Sequence, residues 1–241
     1  MARAVLSQRR RWIRQGLKWW ACGLFLILAF ASLAQAQSIV GTVPITNGNP
    51  HGLAADPTRN LVYVAVGTAK QIAVVDGASS AIVRTISVGP DAMDVEGIAV
   101  DPLANRLYAG YSHPLFVIDA ATGEQVGQIN EGIYGSNEIA INPYNRKIYL
   151  ADWSALVGVP DRVLIYDAAT LSKIGQLDLG VDPSFQRVGV AVNTASGMAY
   201  ATYTASGSVV FIDGQSNSIV RTVQLEERAQ DCVAVNPATN R

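Results

Sequence analysis

A short apolar strand closed by an aspartate or asparagine recurs five times along this chain, and nothing else in the sequence constrains the fold as much. The closing residue falls at Asp56, Asp101, Asn142, Asn193 and Asn236, at intervals of 45, 41, 51 and 43 residues. Seven residues after each of the first four stands a tyrosine: Tyr63, Tyr108, Tyr149 and Tyr200. A third strand in each unit ends in an acid, at Asp76, Asp119, Asp167 and Asp213. A fourth follows, as in "SAIVRTISVG" and "SNSIVRTVQL". Four short strands in every stretch of about 40–50 residues, with turn residues between them, is the pattern of β-propeller blades. The expected class is therefore all-β, a propeller of four-stranded blades.

The first strand of each unit has two unlike faces, because side chains alternate with period two. Three residues before the closing residue come Leu53, Ile98, Ile139, Val190 and Val233. Two before it stands alanine every time: Ala54, Ala99, Ala140, Ala191 and Ala234. One bulky and one small face suit the innermost strand of a blade, where sheets converge on an axis. The closing Asp or Asn starts a turn, since its side chain bonds its own downstream backbone.

The stretches that open the second strands read "YVAV", "YAGY", "YLAD" and "YATY". With the strands and turns around them they resemble the YVTN family of β-propeller repeats over roughly residues 38 to 241. The tyrosine is kept; the terminal asparagine is absent from all four. The resemblance implies the fold, and it says little about the job, because such propellers host unrelated functions. The repeat units are expected at about 50–90, 91–132, 133–181 and 182–226, with a partial unit at 227–241, inside a propeller region of 50–241. Residues 37–49 contain "SIVGTVPITNG" and read as a strand equivalent to a blade's outer strand. The chain ends at "DCVAVNPATNR", before the next tyrosine strand is due. The expectation is four complete blades plus the first strand of a fifth, a C-terminally incomplete copy of a seven-bladed ring, which takes about 300 residues of repeats at this period. An open ring exposes strand edges and apolar blade faces.

Residues 1–36 read as an export signal: Arg3, Arg9, Arg10, Arg11, Arg14 and Lys18 precede an apolar run from about Trp19 to Leu33, and "AQA" offers a small-residue cleavage site. The apolar run is near the short limit for a bilayer span, so cleavage is favoured over a retained anchor, and no span is expected after cleavage. "RRRWIR" resembles the twin-arginine type, but an ordinary signal explains it as well. The expected location is periplasmic or secreted. The whole chain carries 18 Lys and Arg against 19 Asp and Glu; without the six bases of the signal, 12 face 19, a net −7. That charge repels phosphate backbones and argues against nucleic acid. Cys22 lies in the signal, leaving Cys232 alone and excluding an intramolecular disulfide in the mature chain.

Ligands of propellers usually sit on the face where strand four runs to the next strand one. The column five residues before the closing residue belongs there: His51, Glu96, Asn137, Val188 and Asp231. Four of its five members are polar on an otherwise apolar strand, and Asp94 and Arg187 lie beside them. Such groups can orient a polar ligand or hold a divalent cation, or simply line a wet channel. Asp152 and Trp153 open the longest loop, Asp152 to Arg162, and long loops on a rigid scaffold often carry function. His113 lies on the same face in "YSHPL". The sequence holds no Walker loop, G-x-S-x-G elbow or paired C-x-x-C, and no complete catalytic constellation.

The leading expectation is an exported, non-catalytic scaffold that binds a small molecule or protein through the channel mouth. The alternative implied by the resemblance is an enzyme: a metal-dependent lactonase or lyase, or a subunit of a periplasmic dehydrogenase. Single-stranded DNA binding, associated with one branch of similar propellers, is a lesser one.

Overall fold

The computed structural model describes residues 39, 41–111, 114–130, 133, 135, 138–153, 158–181, 188–226 and 232–239. The expected export signal, His113, Asn137, Arg187 and Asp231 lie outside them. Two units are distinguished, Met1–Thr42 and Val43–Arg241; every element below belongs to the second.

Among the described residues, sixteen strands form four antiparallel sheets, each with its strands in sequence order. Blade 1 holds β1 (Pro50–Asp56), β2 (Leu61–Val66), β3 (Gln71–Asp76) and β4 (Ala81–Ser87). Blade 2 holds β5 (Gly97–Asp101), β6 (Arg106–Gly110), β7 (Leu115–Asp119) and β8 (Gln125–Ile129). Blade 3 holds β9 (Glu138–Asn142), β10 (Lys147–Asp152), β11 (Asp161–Asp167) and β12 (Lys173–Gly180). Blade 4 holds β13 (Val188–Val192), β14 (Met198–Tyr203), β15 (Ser208–Asp213) and β16 (Ser218–Gln224). First strands touch first strands in the order β1, β5, β9, β13, which makes them the hub. This is a β-propeller of four blades. The described stretches at either end, 41–49 and 232–239, form no strand.

The invariant alanines have a more specific cause than proximity to an axis. Each sits directly opposite the tyrosine of the next strand: Ala54 with Tyr63, Ala99 with Tyr108, Ala140 with Tyr149, Ala191 with Tyr200. A small residue beside each phenol ring leaves it room within one face of the sheet. The same row continues outward through Val74, Val117, Ile165 and Phe211, then Arg84, Gly127, Gly175 and Arg221.

Three apolar clusters join consecutive blades, always in the same sense. The tyrosine face of blade 1 packs on Leu107, Phe116 and Ile118 of blade 2. That of blade 2 packs on Ile148, Leu150 and Leu164 of blade 3. That of blade 3 packs on Ala199, Val210 and Ile212 of blade 4. Burial pushes the Tyr108 phenol up to about 12, so it stays protonated and serves as packing.

Among the described residues, nine Asp and Asn cap turns by accepting two backbone N–H bonds, from the residues two and three places on. Asp76 takes them from Ala78 and Ser79 at 3.1 and 2.7 Å, Asp167 from Ala169 and Thr170 at 2.9 and 2.8 Å. Asn236 does the same with Ala238 and Thr239, so the first turn of the fifth repeat forms although the described residues before it make no strand. Hydrogen bonds from Ser79, Thr122 and Thr170 hold the Asp76, Asp119 and Asp167 carboxyls below their ordinary value of 3.8. A depressed folded-state pKa gives stability that is complete above the unfolded value and is lost as pH falls through the folded one. The urea midpoint is therefore expected to stay level between about pH 5 and 7 and to drop below about pH 4; a midpoint that rises on acidification contradicts this.

Each fourth strand carries a register irregularity at one shared place, opposite the step from Val74 to Val75 and its equivalents. The residues bulged out there are Val83, Val126, Ile174 and Val220, all exposed. A bulge twists the outer edge and spoils it as a template for another strand, which keeps these rims from pairing.

Candidate functional site

Three of the channel-mouth residues come together between blades 1 and 2. His51 lies exposed at the start of β1, and Asp94 and Glu96, both half-buried, precede β5. The backbone fixes the geometry: Gly52 donates its N–H to the Glu96 carbonyl at 2.9 Å, and Glu96 donates to the Gly110 carbonyl at 3.3 Å. Gly67, in the turn between β2 and β3, donates to the Asn49 carbonyl at 2.9 Å. It lies directly under the cluster. A Cβ on Gly67 meets Asp94 Oδ1 at 2.5 Å and His51 Nε2 at 2.9 Å, so an imidazole nitrogen and a carboxylate oxygen converge over a residue with no side chain. Asp94 Oδ1 also accepts the Val95 N–H at 2.7 Å, which fixes the direction of the carboxylate. The result is an imidazole and a carboxylate side by side over a glycine, chemistry suited to hydroxyl- or amine-bearing ligands.

Gly52 belongs to the same device. A Cβ there meets the Glu96 carbonyl oxygen at 2.4 Å, so only glycine lets the hub strands approach. Between blades 3 and 4 the corresponding position holds Glu138, and its Oε2 accepts the Val190 N–H at 3.0 Å. Four places before the closing residue the other three blades have Gly52, Gly97 and Gly189, so Glu138 departs from glycine there and serves as a hub clasp.

Asp152 and Trp153 occupy a different setting. Asp152 ends β10 with its side chain fully buried; Oδ2 pairs with Arg162 Nε at 2.8 Å, and Oδ1 accepts the Gly135 N–H at 3.1 Å. Trp153 donates its backbone N–H to the Gly135 carbonyl at 3.0 Å, and its indole ring lies against the same glycine. The two residues therefore grip Gly135, in the connection from blade 2 to blade 3, through both its polar groups. Arg162 and Gly135 were not among the residues singled out by pattern, since nothing in their spacing announces the contact.

The described cavities lie at the turn ends of the blades, away from His51. One of about 360 Å³ is lined by Arg59, Tyr63, Arg84 and Asn105, and another of about 430 Å³ by Asn145, Lys147, Asp213 and Gly214. Their polar side chains already serve the joints between blades. Arg84 donates to the carbonyls of Ala120 and Ala121, and Lys147 to that of Gly214. The His51 group is preferred because its side chains converge on Gly67. Among the described residues, no three of the His, Cys, Asp and Glu side chains are grouped so as to hold a metal ion, and no helix is long and apolar enough to cross a membrane. Cys232 is exposed.

No protein-family model matches the chain, and no curated protein matches it in sequence. Among solved structures it is similar to hydrazine synthase from Kuenenia stuttgartiensis, with a TM-score of 0.61 and 19% identity over 77% of this chain and 52% of that one. It is also similar to the β-propeller domain of Cps50 (Swd1) from Myceliophteria thermophila, with a TM-score of 0.62 and 10% identity over 83% of this chain and 62% of that one. The chain spans 52% and 62% of these two lengths. At such identities the likeness shows the fold alone, a β-propeller.

Proposed function

We propose that this β-propeller is an exported, non-catalytic scaffold of the YVTN type, and that it binds a polar small molecule or a protein segment at the channel mouth. The observation that carries the reading is the convergence of His51 and Asp94 over Gly67, with Glu96 in the same short stretch. The propeller fold supports an interaction role in general: rigid blades hold connecting loops in place while leaving those loops free to vary. The array belongs to a larger ring in this reading, seven-bladed if further blades follow in the same polypeptide. Export rests on the basic, then apolar, then small-residue order of residues 1–36.

A thermal-shift screen of the full chain tests the binding role, with sugars, amino acids, nucleotides, short peptides and the ions Ca²⁺, Mg²⁺ and Zn²⁺ as probes. A genuine ligand at 100 times its Kd stabilises by about 2.7 kcal/mol. The expected result is a hit that weakens at least tenfold in His51→Ala and is lost in Gly67→Leu, whose side chain pushes His51 and Asp94 apart. Hits unaffected by both substitutions, or no hit at all, count against the site. A divalent ion as the hit, lost with His51 and Glu96, moves the balance to the metal-dependent enzyme.

A further inference from the structure

The joint between blades 1 and 2 holds a cavity of about 360 Å³ at the end of the strands opposite to His51, where the turn from β1 to β2 meets the turn after β7. Arg59, from the first of these turns, and Arg84, from β4, both line it. No described Asp or Glu does, although residues 37–241 carry 12 bases against 19 acids.

The two guanidiniums are unequally balanced. Arg59 pairs through Nη1 with Asp56 at 2.8 Å, and the same nitrogen donates to the Pro102 carbonyl at 3.2 Å. Arg84 donates to the carbonyls of Ala121 and Ala120, and it makes no ion pair among the described residues. A guanidinium has more N–H groups than these two bonds use, so Arg84 keeps donors and an uncompensated charge. It is half-buried, where a charge is screened less than on an open surface.

A third donor belongs to the same space. Tyr63 lines the cavity and is 1% exposed, and its hydroxyl makes no hydrogen bond among the described residues. Burial raises this phenol above its ordinary value of 10.0, as does the Asp56 carboxylate, while Arg59 and Arg84 act in the opposite sense. The hydroxyl therefore keeps its proton at neutral pH and lies within the field of both guanidiniums. Much of the remaining wall is aliphatic, with Leu61, Val74 and Val83 on it.

The joint between blades 3 and 4 shows that the repeat alone does not impose this chemistry. Its cavity of about 430 Å³ is lined by Lys147 and by Asp213, so that cation and anion offset each other. Lys147 stands there in the place of Leu61, two residues before the tyrosine. The Tyr149 hydroxyl is enclosed away from that cavity.

We propose that the cavity between blades 1 and 2 is a binding site for a small apolar carboxylate, with the carboxylate held by Arg84, Arg59 and the Tyr63 hydroxyl and the hydrocarbon part resting on Leu61, Val74 and Val83. A carboxylate matches the planar N–H fork of arginine, and it supplies the negative charge that Arg84 lacks. The aliphatic wall favours an anion with a tail over a bare one. A volume of about 360 Å³ lies near the small end of the ~300–1,000 Å³ range of ligand sites, which suits a medium-chain fatty acid or an aryl acid. The site is separate from the His51 group, and neither depends on the other.

Isothermal titration calorimetry of the full chain at neutral pH tests the site, with octanoate, octanol, octylamine and inorganic phosphate as probes. Octanoate is expected to bind once per chain, and the other three at least tenfold more weakly, since each lacks the negative charge or the tail. Arg84→Gln and Tyr63→Phe are each expected to weaken octanoate by about tenfold, the usual worth of one hydrogen bond to a charged group. Tyr63→Phe breaks no described hydrogen bond of the fold, so it reads the site even where Arg84→Gln, which disturbs the Ala120 and Ala121 contacts, lowers the melting temperature. Any of the other three probes binding as tightly as octanoate overturns the proposal. So does the absence of octanoate binding up to its solubility limit, or an octanoate affinity unchanged in Tyr63→Phe and Arg84→Gln.

Discussion

Tyr149→Ala is expected to lower the unfolding free energy by about 3–5 kcal/mol, and Tyr200→Ala by about 1 kcal/mol, measured by urea titration of dilute protein. The two tyrosines hold the same place in the repeat, so intrinsic propensity and local register are equal for both. Each faces an alanine on one side and a third-strand apolar residue on the other. They differ in what lies over the ring. Tyr149 is 0% exposed, between its own blade and the Ala199, Val210 and Ile212 face of blade 4. Tyr200 is half-buried, with Phe211 at its edge and no described blade above it. Removing the buried ring leaves a cavity between two rigid sheets, which collapses poorly. Removing the other leaves a space that water can fill. Equal losses at both positions would mean that the face of blade 4 is covered in solution.

Asp152→Ala is expected to cost about 3–5 kcal/mol, because it removes a fully buried carboxylate that pairs with Arg162 and accepts the Gly135 N–H. The side chains of the pair are 0% and 13% exposed, so water can restore little of what the carboxylate supplies. The substitution also frees the Gly135 N–H, which is buried in the connection between blades 2 and 3. A double variant, Asp152→Ala with Arg162→Leu, is expected to cost less than the sum of the two single losses, since the two side chains pair directly. Urea midpoints of the two single variants and the double variant give the coupling. A loss below about 0.5 kcal/mol in Asp152→Ala would place this carboxylate among surface ion pairs instead.

The sequence made the four-blade architecture legible for a definite reason. Turn-capping Asp and Asn residues, packed tyrosines and their alanine partners are each required once per blade, so they recur in phase and announce themselves. The same logic located the hub strands. It did not reveal why alanine is invariant, because the pairing of Ala140 with Tyr149 depends on cross-strand register, which a single strand does not display. The ends were legible only as patterns: "SIVGTVPITNG" and "CVAVN" have the composition of strands, but residues 41–49 and 232–239 carry none. A strand needs an edge to pair with, and composition alone provides no partner.

The candidate site divided along similar lines. His51, Asp94 and Glu96 are near one another because hub strands one repeat apart are neighbours, and repeat phase alone predicts that. Gly67 was invisible by that route, since its value lies in the side chain it lacks. Asp152 and Trp153 drew notice as members of a long loop, and the structure places both against Gly135. An ion pair such as Asp152 with Arg162 spans a hairpin whose length is particular to one blade, so no column of equivalents marks it.

The architecture rests above all on the sealing of the tyrosine faces of blades 1, 2 and 3 by the blade that follows each. Hydroxyl-radical labelling read by mass spectrometry tests that directly, with exposed Tyr144 as the internal standard. Under labelling that modifies Tyr144, the account predicts that Tyr63, Tyr108 and Tyr149 remain unmodified in the native chain and react only after unfolding in urea. Modification of any of the three at the rate of Tyr144 in the native chain would contradict it.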